Sequence, residues 1–211
     1  MSFPDISSYY TEELALNEEV NWLLTMQWKR NSNFILPLLE QYRIATAIEF
    51  GCGSGLVAAD LPATLDYVGI DRNSWFLERA RERNLGKQRF FQNWDVRNWT
   101  QEPRDLAMSW SMLKHFSLTE WTTILLKILA SGRYAAFNVQ LAEVCFDNGT
   151  RFHHVFVTQD QVEKVIALGN HEILIEETTS TWTVENRPCS DVTYFTKLKP
   201  APGLHTSDKV E

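Results

Sequence analysis

The sequence predicts an α/β protein: a doubly wound, mostly parallel sheet of seven strands with an antiparallel last strand, behind an N-terminal helical extension. Three observations predict it. Apolar β-type runs alternate with helical periods from residue 44 to residue 168, the pattern of βαβ units. Residues 49–55, Glu-Phe-Gly-Cys-Gly-Ser-Gly, stand where an apolar run gives way to a helix, the place where open α/β sheets bring backbone close to a nucleotide. Two β-rich runs, 171–182 and 190–198, then follow each other with no helix between them. Antiparallel neighbours accept a short connection, whereas parallel ones need a crossover.

Each element has its own signal. Residues 1–10 read as irregular. From 11 to 42 the period is helical: Leu14, Leu16, Val20, Leu23, Leu24, Met26 and Trp28, then Phe34, Ile35, Leu38 and Leu39. The polar stretch Arg30–Asn33 divides this into two helices. Strands follow at 44–50, 66–70, 88–92, 105–109 and 133–140, with helices at 55–61, 73–84, 118–131 and 159–168. Ser117 with Glu120 and Thr158 with Gln161 form capping boxes, and Gly132 and Gly169 are expected as left-handed C-caps. The tail from Pro200 has charges, Pro and Gly without a period, and reads as disordered. The expected division is a helical extension or lid over 1–42, a nucleotide-binding domain over 43–199, and a tail over 200–211.

Composition narrows the function classes. A formal charge of −7 with no Lys/Arg block argues against nucleic acid, which is held through phosphate neutralisation. No apolar run approaches the ~20 residues of a membrane span, and the start lacks the form of a signal peptide, so a cytoplasmic protein is expected. Cys52, Cys145 and Cys189 are too few and too scattered for a disulfide framework or a zinc site. His153-His154 lacks other clustered ligands, so no metal is expected.

Glycine spacing then separates the cofactors. A dinucleotide fingerprint needs its third glycine two residues after the second; Leu56 stands there, and Gly55 comes one residue early. Glu49-x-Gly51-x-Gly53-x-Gly55 resembles motif I of the class I S-adenosylmethionine (SAM) methyltransferases. Three further segments resemble that family over residues 43–198: Tyr67-Val-Gly-Ile-Asp71, Phe90-Phe-Gln-Asn-Trp-Asp95-Val96, and the run from Asp105 to His115. Lys114 departs from the family where an acid often stands. The resemblance implies a Rossmann-like fold, and SAM as cofactor with S-adenosylhomocysteine as product. It also implies roles for individual residues. Glu49, Gly51, Cys52, Gly53 and Gly55 form the cofactor turn, the small Cys52 serving for packing. Asp71, with Arg72 beside it, takes the ribose hydroxyls; Asp95 takes the adenine amino group and Val96 offers a backbone N–H. Ser109 and Trp110 face the methionine portion.

Methyl transfer needs orientation and, for an oxygen or nitrogen acceptor, a base. His115, following the fourth strand, is the first candidate; His153 and His154 are the second, on a segment that closes over substrate in similar enzymes. An unperturbed imidazole titrates near 6.5. Trp22, Trp28, His115, Phe152 and His153 are the candidate substrate contacts, since aromatic side chains favour enclosed apolar pockets. The leading expectation is O- or N-methylation of a small molecule. The alternatives are a protein or RNA methyltransferase, or a silent SAM-binding subunit whose extension forms an interface, as in a homodimer.

Overall fold

The computed structural model describes residues 12–87, 89–100, 102–143, 145–147, 155–184 and 186–200. Helices α1 (Glu12–Thr25) and α2 (Gln27–Gln41) lead into β1 (Thr46–Phe50), α3 (Leu56–Asp60), β2 (Asp66–Asp71), α4 (Ser74–Arg83), β3 (Arg89–Asn93) and β4 (Arg104–Ser109). After these come α5 (Leu118–Ala130), β5 (Gly132–Ala142), the short pair β6 (Phe146–Asp147) and β7 (Val155–Phe156), α6 (Gln159–Leu168), β8 (His171–Val184) and β9 (Arg187–Leu198).

One sheet carries the order β3-β2-β1-β4-β5-β9-β8. Neighbours from β3 to β5 are parallel, and β9 is antiparallel to both β5 and β8. The reversed strand is the expected last one. The chain winds outward from β1 to β3 and then crosses to β4 on the other side. That reversal opens a crevice at the carboxyl ends of β1 and β4.

Alternation along the strands divides the core. Ile48, Phe50, Val68, Ile70, Ala107 and Phe137 pack with Leu125, Ile128, Leu129, Val162 and Ile166 of α5 and α6. Ala47, Tyr67, Leu106, Met108 and Phe195 pack with Ile35, Leu38, Leu39, Leu77 and Ala80 of α2 and α4. Asp105 ties β4 to β1, its Oδ2 accepting bonds from the Ala45 and Thr46 amides at 3.0 Å each. Both capping boxes form.

Three expectations are corrected. The break between the first two helices falls at Met26 (φ 54°) rather than at Arg30–Asn33. Asn31 and Ser32 are buried within α2, and the Ser32 hydroxyl is satisfied by the Trp28 carbonyl at 3.0 Å, so polarity alone does not end the helix. Gly169 has φ −72°, and the left-handed residue is Asn170 (φ 57°). Gly132 opens β5 while Ser131 caps α5. It is glycine for want of space, because a Cβ there would lie 2.6 Å from the Ala107 amide of β4. The expectations for residues 1–10 and for the tail beyond Pro200 lie outside the described residues. Among the described residues no helix is long and apolar enough to cross a membrane.

Candidate functional site

The crevice is built on three left-handed glycines, Gly51 (φ 72°), Gly53 (φ 51°) and Gly55 (φ 70°). Each has its own reason to lack a side chain. A Cβ at Gly51 would sit 2.9 Å from Met112 Cβ, and one at Gly55 would sit 2.9 Å from Ala80 Cβ. At Gly53 a Cβ would meet nothing within 4 Å, so the open space beside that backbone is room for a ligand. The amides of Gly51 and Cys52 both bond the Ile70 carbonyl, at 2.8 and 3.0 Å, and pin the turn to β2.

Asp71 at the end of β2 organises the rim. Its Oδ2 accepts the Gly53 amide at 3.0 Å and its Oδ1 the Asn73 amide at 2.8 Å. Burial raises its pKa, and those backbone N–H groups work against the rise. Beneath the turn Glu49 is 2% exposed. Burial pushes its carboxyl up to about 8, opposed by the Tyr67 hydroxyl and reinforced by the Asp71 charge. Burial, Asp71 and Glu49 together raise the Cys52 thiol, which suits packing rather than nucleophilic chemistry.

These groups open onto a cavity of about 350 Å³ over the carboxyl ends of β1, β2 and β4. Of the residues the sequence singled out, Glu49, Gly51, Cys52, Gly53, Asp71, Arg72, Val96, Trp110, Trp22 and His115 line it. Four others lie off its wall. Gly55 packs against Ala80 and Asn84 of the next helical layer. Asp95 caps its own turn, accepting the Arg97 amide at 2.9 Å, and pairs with the guanidinium groups of Arg97 and Arg72 at 3.1 and 3.4 Å. Ser109 is wholly buried at the end of β4. Trp28 packs against the core on the α2 side of the sheet. Phe152, His153 and His154 lie outside the described residues.

The structure adds wall residues that pattern reading did not reach. Glu19 of α1 joins Trp22 on the wall. Arg83 of α4 bonds both the Glu19 carboxylate and the Ser54 carbonyl of the glycine turn, joining the N-terminal helix to the turn. Phe76, Trp94, Ser111, Met112 and Lys114 also line it. Ser111 is left-handed (φ 57°), and its amide donates to Asn138 Oδ1 at 2.6 Å. A non-glycine in that region is a local constraint at the crevice, held here by a partner on β5. Among the described residues no group of three or more His, Cys, Asp or Glu could hold a metal ion.

Residues 47–132 match the methyltransferase domain family. No curated protein matches the chain in sequence. Among solved structures, a SAM-dependent methyltransferase from Clostridium acetobutylicum ATCC 824 superposes with a TM-score of 0.68 at 13% identity, covering 90% of this chain and 100% of that one. Magnesium protoporphyrin IX methyltransferase from Synechocystis PCC 6803, crystallised with SAM, gives 0.65 at 13% identity over 81% and 79%. The N-terminal domain of EvdMO1, solved in the presence of S-adenosylhomocysteine and D-fucose, gives 0.64 at 11% identity over 80% and 82%. At such identities these likenesses establish the fold.

Proposed function

We propose, from the match of residues 47–132 to the methyltransferase domain family, that this protein transfers the methyl group of SAM to an oxygen or nitrogen of a small molecule. The observation that carries the cofactor assignment is the Gly53–Asp71 pair. A carboxylate bonded to the turn amide at 3.0 Å stands beside backbone with open space where a side chain would be. That geometry fits a ribose diol against the carboxylate and a ligand backbone against the glycines, and the neighbours crystallised with SAM or S-adenosylhomocysteine support it.

Bound SAM supplies a sulfonium methyl whose leaving group is neutral and needs no acid. The chain's residues supply position. Asp71 holds the ribose end, Val96 and Trp94 bound the far wall, and Trp110, Ser111 and Met112 bound the end near β4. Displacement rewards such placement, because a fixed near-attack geometry replaces an entropic cost. His115, half-buried on that wall, is the group placed to accept a proton from the acceptor atom.

A small acceptor is favoured over a polymer by α1: its Glu19 and Trp22 line the crevice, and Arg83 ties Glu19 to the glycine turn. One observation favours the silent-subunit reading. Leu16, Val20, Leu23 and Leu24 leave an exposed apolar stripe on α1, the mark of a partner surface. Incubating the purified protein with labelled SAM and fractionated metabolite pools separates the readings. Label in a low-molecular-weight product supports the enzyme. Tight S-adenosylhomocysteine binding with no transfer to any pool supports the subunit.

A further inference from the structure

We propose that Arg97 is a positioning residue: it ties the turn beside the adenine end of the cavity to the turn that carries His115, so that filling the first fixes the second. The inference rests on the methyltransferase reading and concerns the same cavity, which Val96, Arg97, His115 and Phe116 all line. Val96 and Arg97 belong to a single helical turn after β3, Val96–Asn98. His115 ends the turn that follows β4, and Phe116 caps it.

One guanidinium joins the two turns. Its Nη1 donates to Asp95 Oδ2 at 3.1 Å and its Nε to Glu120 Oε1 at 3.0 Å. Its Cζ stands over the Phe116 ring, 5.2 Å from the centroid. The planar fork of an arginine bridges two carboxylates while lying on a ring face, where a lysine ammonium offers only a point charge. The main chain of Arg97 is fixed as well. Its amide donates to Asp95 Oδ1 at 2.9 Å, and its carbonyl accepts from Lys127 Nζ of α5. Asp95 carries the tie on to the ribose side, pairing at 3.4 Å with Arg72, the neighbour of Asp71.

Glu120 carries the tie to the His115 side. While its Oε1 holds Arg97, its Oε2 accepts the Ser117 hydroxyl at 2.9 Å within the capping box that starts α5. The segment from Ser111 to Ser117, with His115 inside it, is thereby held at both ends. Asn138 of β5 holds the Ser111 amide at 2.6 Å, and Glu120 and Arg97 hold Ser117 and Phe116. The first anchor is rooted in the sheet. The second runs through the cofactor side of the cavity. Part-exposed ion pairs add little to folding one at a time; several contacts on one rigid group instead fix where a short turn stands.

The test follows the His115 imidazole by NMR in the full chain, its signal assigned by its absence from His115→Gln, as adenosine is added. On the cofactor reading adenosine fills the ribose and adenine end and leaves the β4 end empty. Saturating adenosine should shift the His115 signal in the parent. Arg97→Gln and Glu120→Gln should both bind adenosine and lose that shift. Neither residue is buried, Glu120 stands off the cavity wall, and glutamine still serves a capping box. The second variant therefore cuts the tie without touching the ligand or the start of α5. A shift absent from the saturated parent, or kept in either variant, overturns the inference; loss in Arg97→Gln alone would make Arg97 a ligand contact. If S-adenosylhomocysteine binds but adenosine does not, this inference falls alone. If neither binds, the cofactor reading falls and takes this inference with it.

Discussion

The Tyr67 hydroxyl donates a 2.6 Å hydrogen bond to Glu49 Oε2 beneath the glycine turn. Both groups are buried, so the pair is a polar contact sealed in the floor of the site. Its net effect on Glu49 is decided by desolvation: burial outweighs the hydroxyl and raises the carboxyl from 4.5 to about 8. The same burial, with the Glu49 charge, raises the Tyr67 phenol.

Stability should therefore fall as pH rises across the window from about 4.5 to about 8. The folded protein holds the Glu49 proton there and the unfolded chain has released it, so the contribution is full below 4.5 and is lost through 8. One proton gives a slope of at most about 1.4 kcal/mol per pH unit. Asp71 and Asp191, also raised by burial, act in the same direction. Glu49→Gln keeps an acceptor for Tyr67 and removes the titration. Chemical denaturation at pH 5 and pH 8 should show a smaller loss in the variant than in the parent. Equal losses in both would place the linkage in other groups.

Asp71→Ala should weaken S-adenosylhomocysteine far more than Asp95→Ala. Asp71 is expected to take the ribose hydroxyls while it also holds the Gly53 amide, and charge-assisted bonds contribute ~1.5–3 kcal/mol each. Two such bonds correspond to roughly a hundredfold loss or more. Asp95 is engaged with its own turn and with Arg72 and Arg97, so its removal should cost about tenfold or less. Calorimetry on both variants checks this, and matching losses would reassign the ribose ligand.

The sheet and the glycine turn were legible because their causes are local. Strand periodicity, capping boxes and the Gly51–Gly53–Gly55 spacing lie within a few residues of what they determine. Most of what the sequence misplaced or did not reach has distant causes. Gly132 is small because of the Ala107 backbone on the neighbouring strand. Ser111 is left-handed with its amide bonded to Asn138, 27 residues on. Arg83 joins Glu19, 64 residues away, to Ser54, and no period in the sequence announces that pairing. Met26 breaks the helix in a left-handed conformation with no glycine to signal it.

That arginine makes the lid testable. Truncation through Thr25 removes α1 and spares α2, whose Ile35, Leu38 and Leu39 belong to the core. The shortened protein should keep its fold by circular dichroism while binding S-adenosylhomocysteine about tenfold more weakly, through faster release. Arg83→Ala should produce part of the same effect by freeing Glu19 and the Ser54 carbonyl. Full affinity in the truncated protein would make α1 a partner surface rather than a lid.

His115 carries the riskiest expectation, that it accepts the proton released as the methyl is transferred. It stands on a single helical turn, Leu113–His115, whose His115 amide bonds the Met112 carbonyl at 3.0 Å. That turn follows Ser111 and Met112, and His115 lies on the wall of the cavity. Once the acceptor is identified, His115→Ala should lower turnover by ~10²–10⁴-fold with S-adenosylhomocysteine affinity nearly unchanged, the range typical of a lost general base. His115→Gln keeps a polar shape without a base and separates orientation from proton transfer. A glutamine variant as slow as the alanine variant, with the acidic limb of the pH–rate profile gone, identifies a proton acceptor. A glutamine variant near the parent rate makes His115 a positioning residue, and the same assay on His153→Gln and His154→Gln then finds where the proton goes.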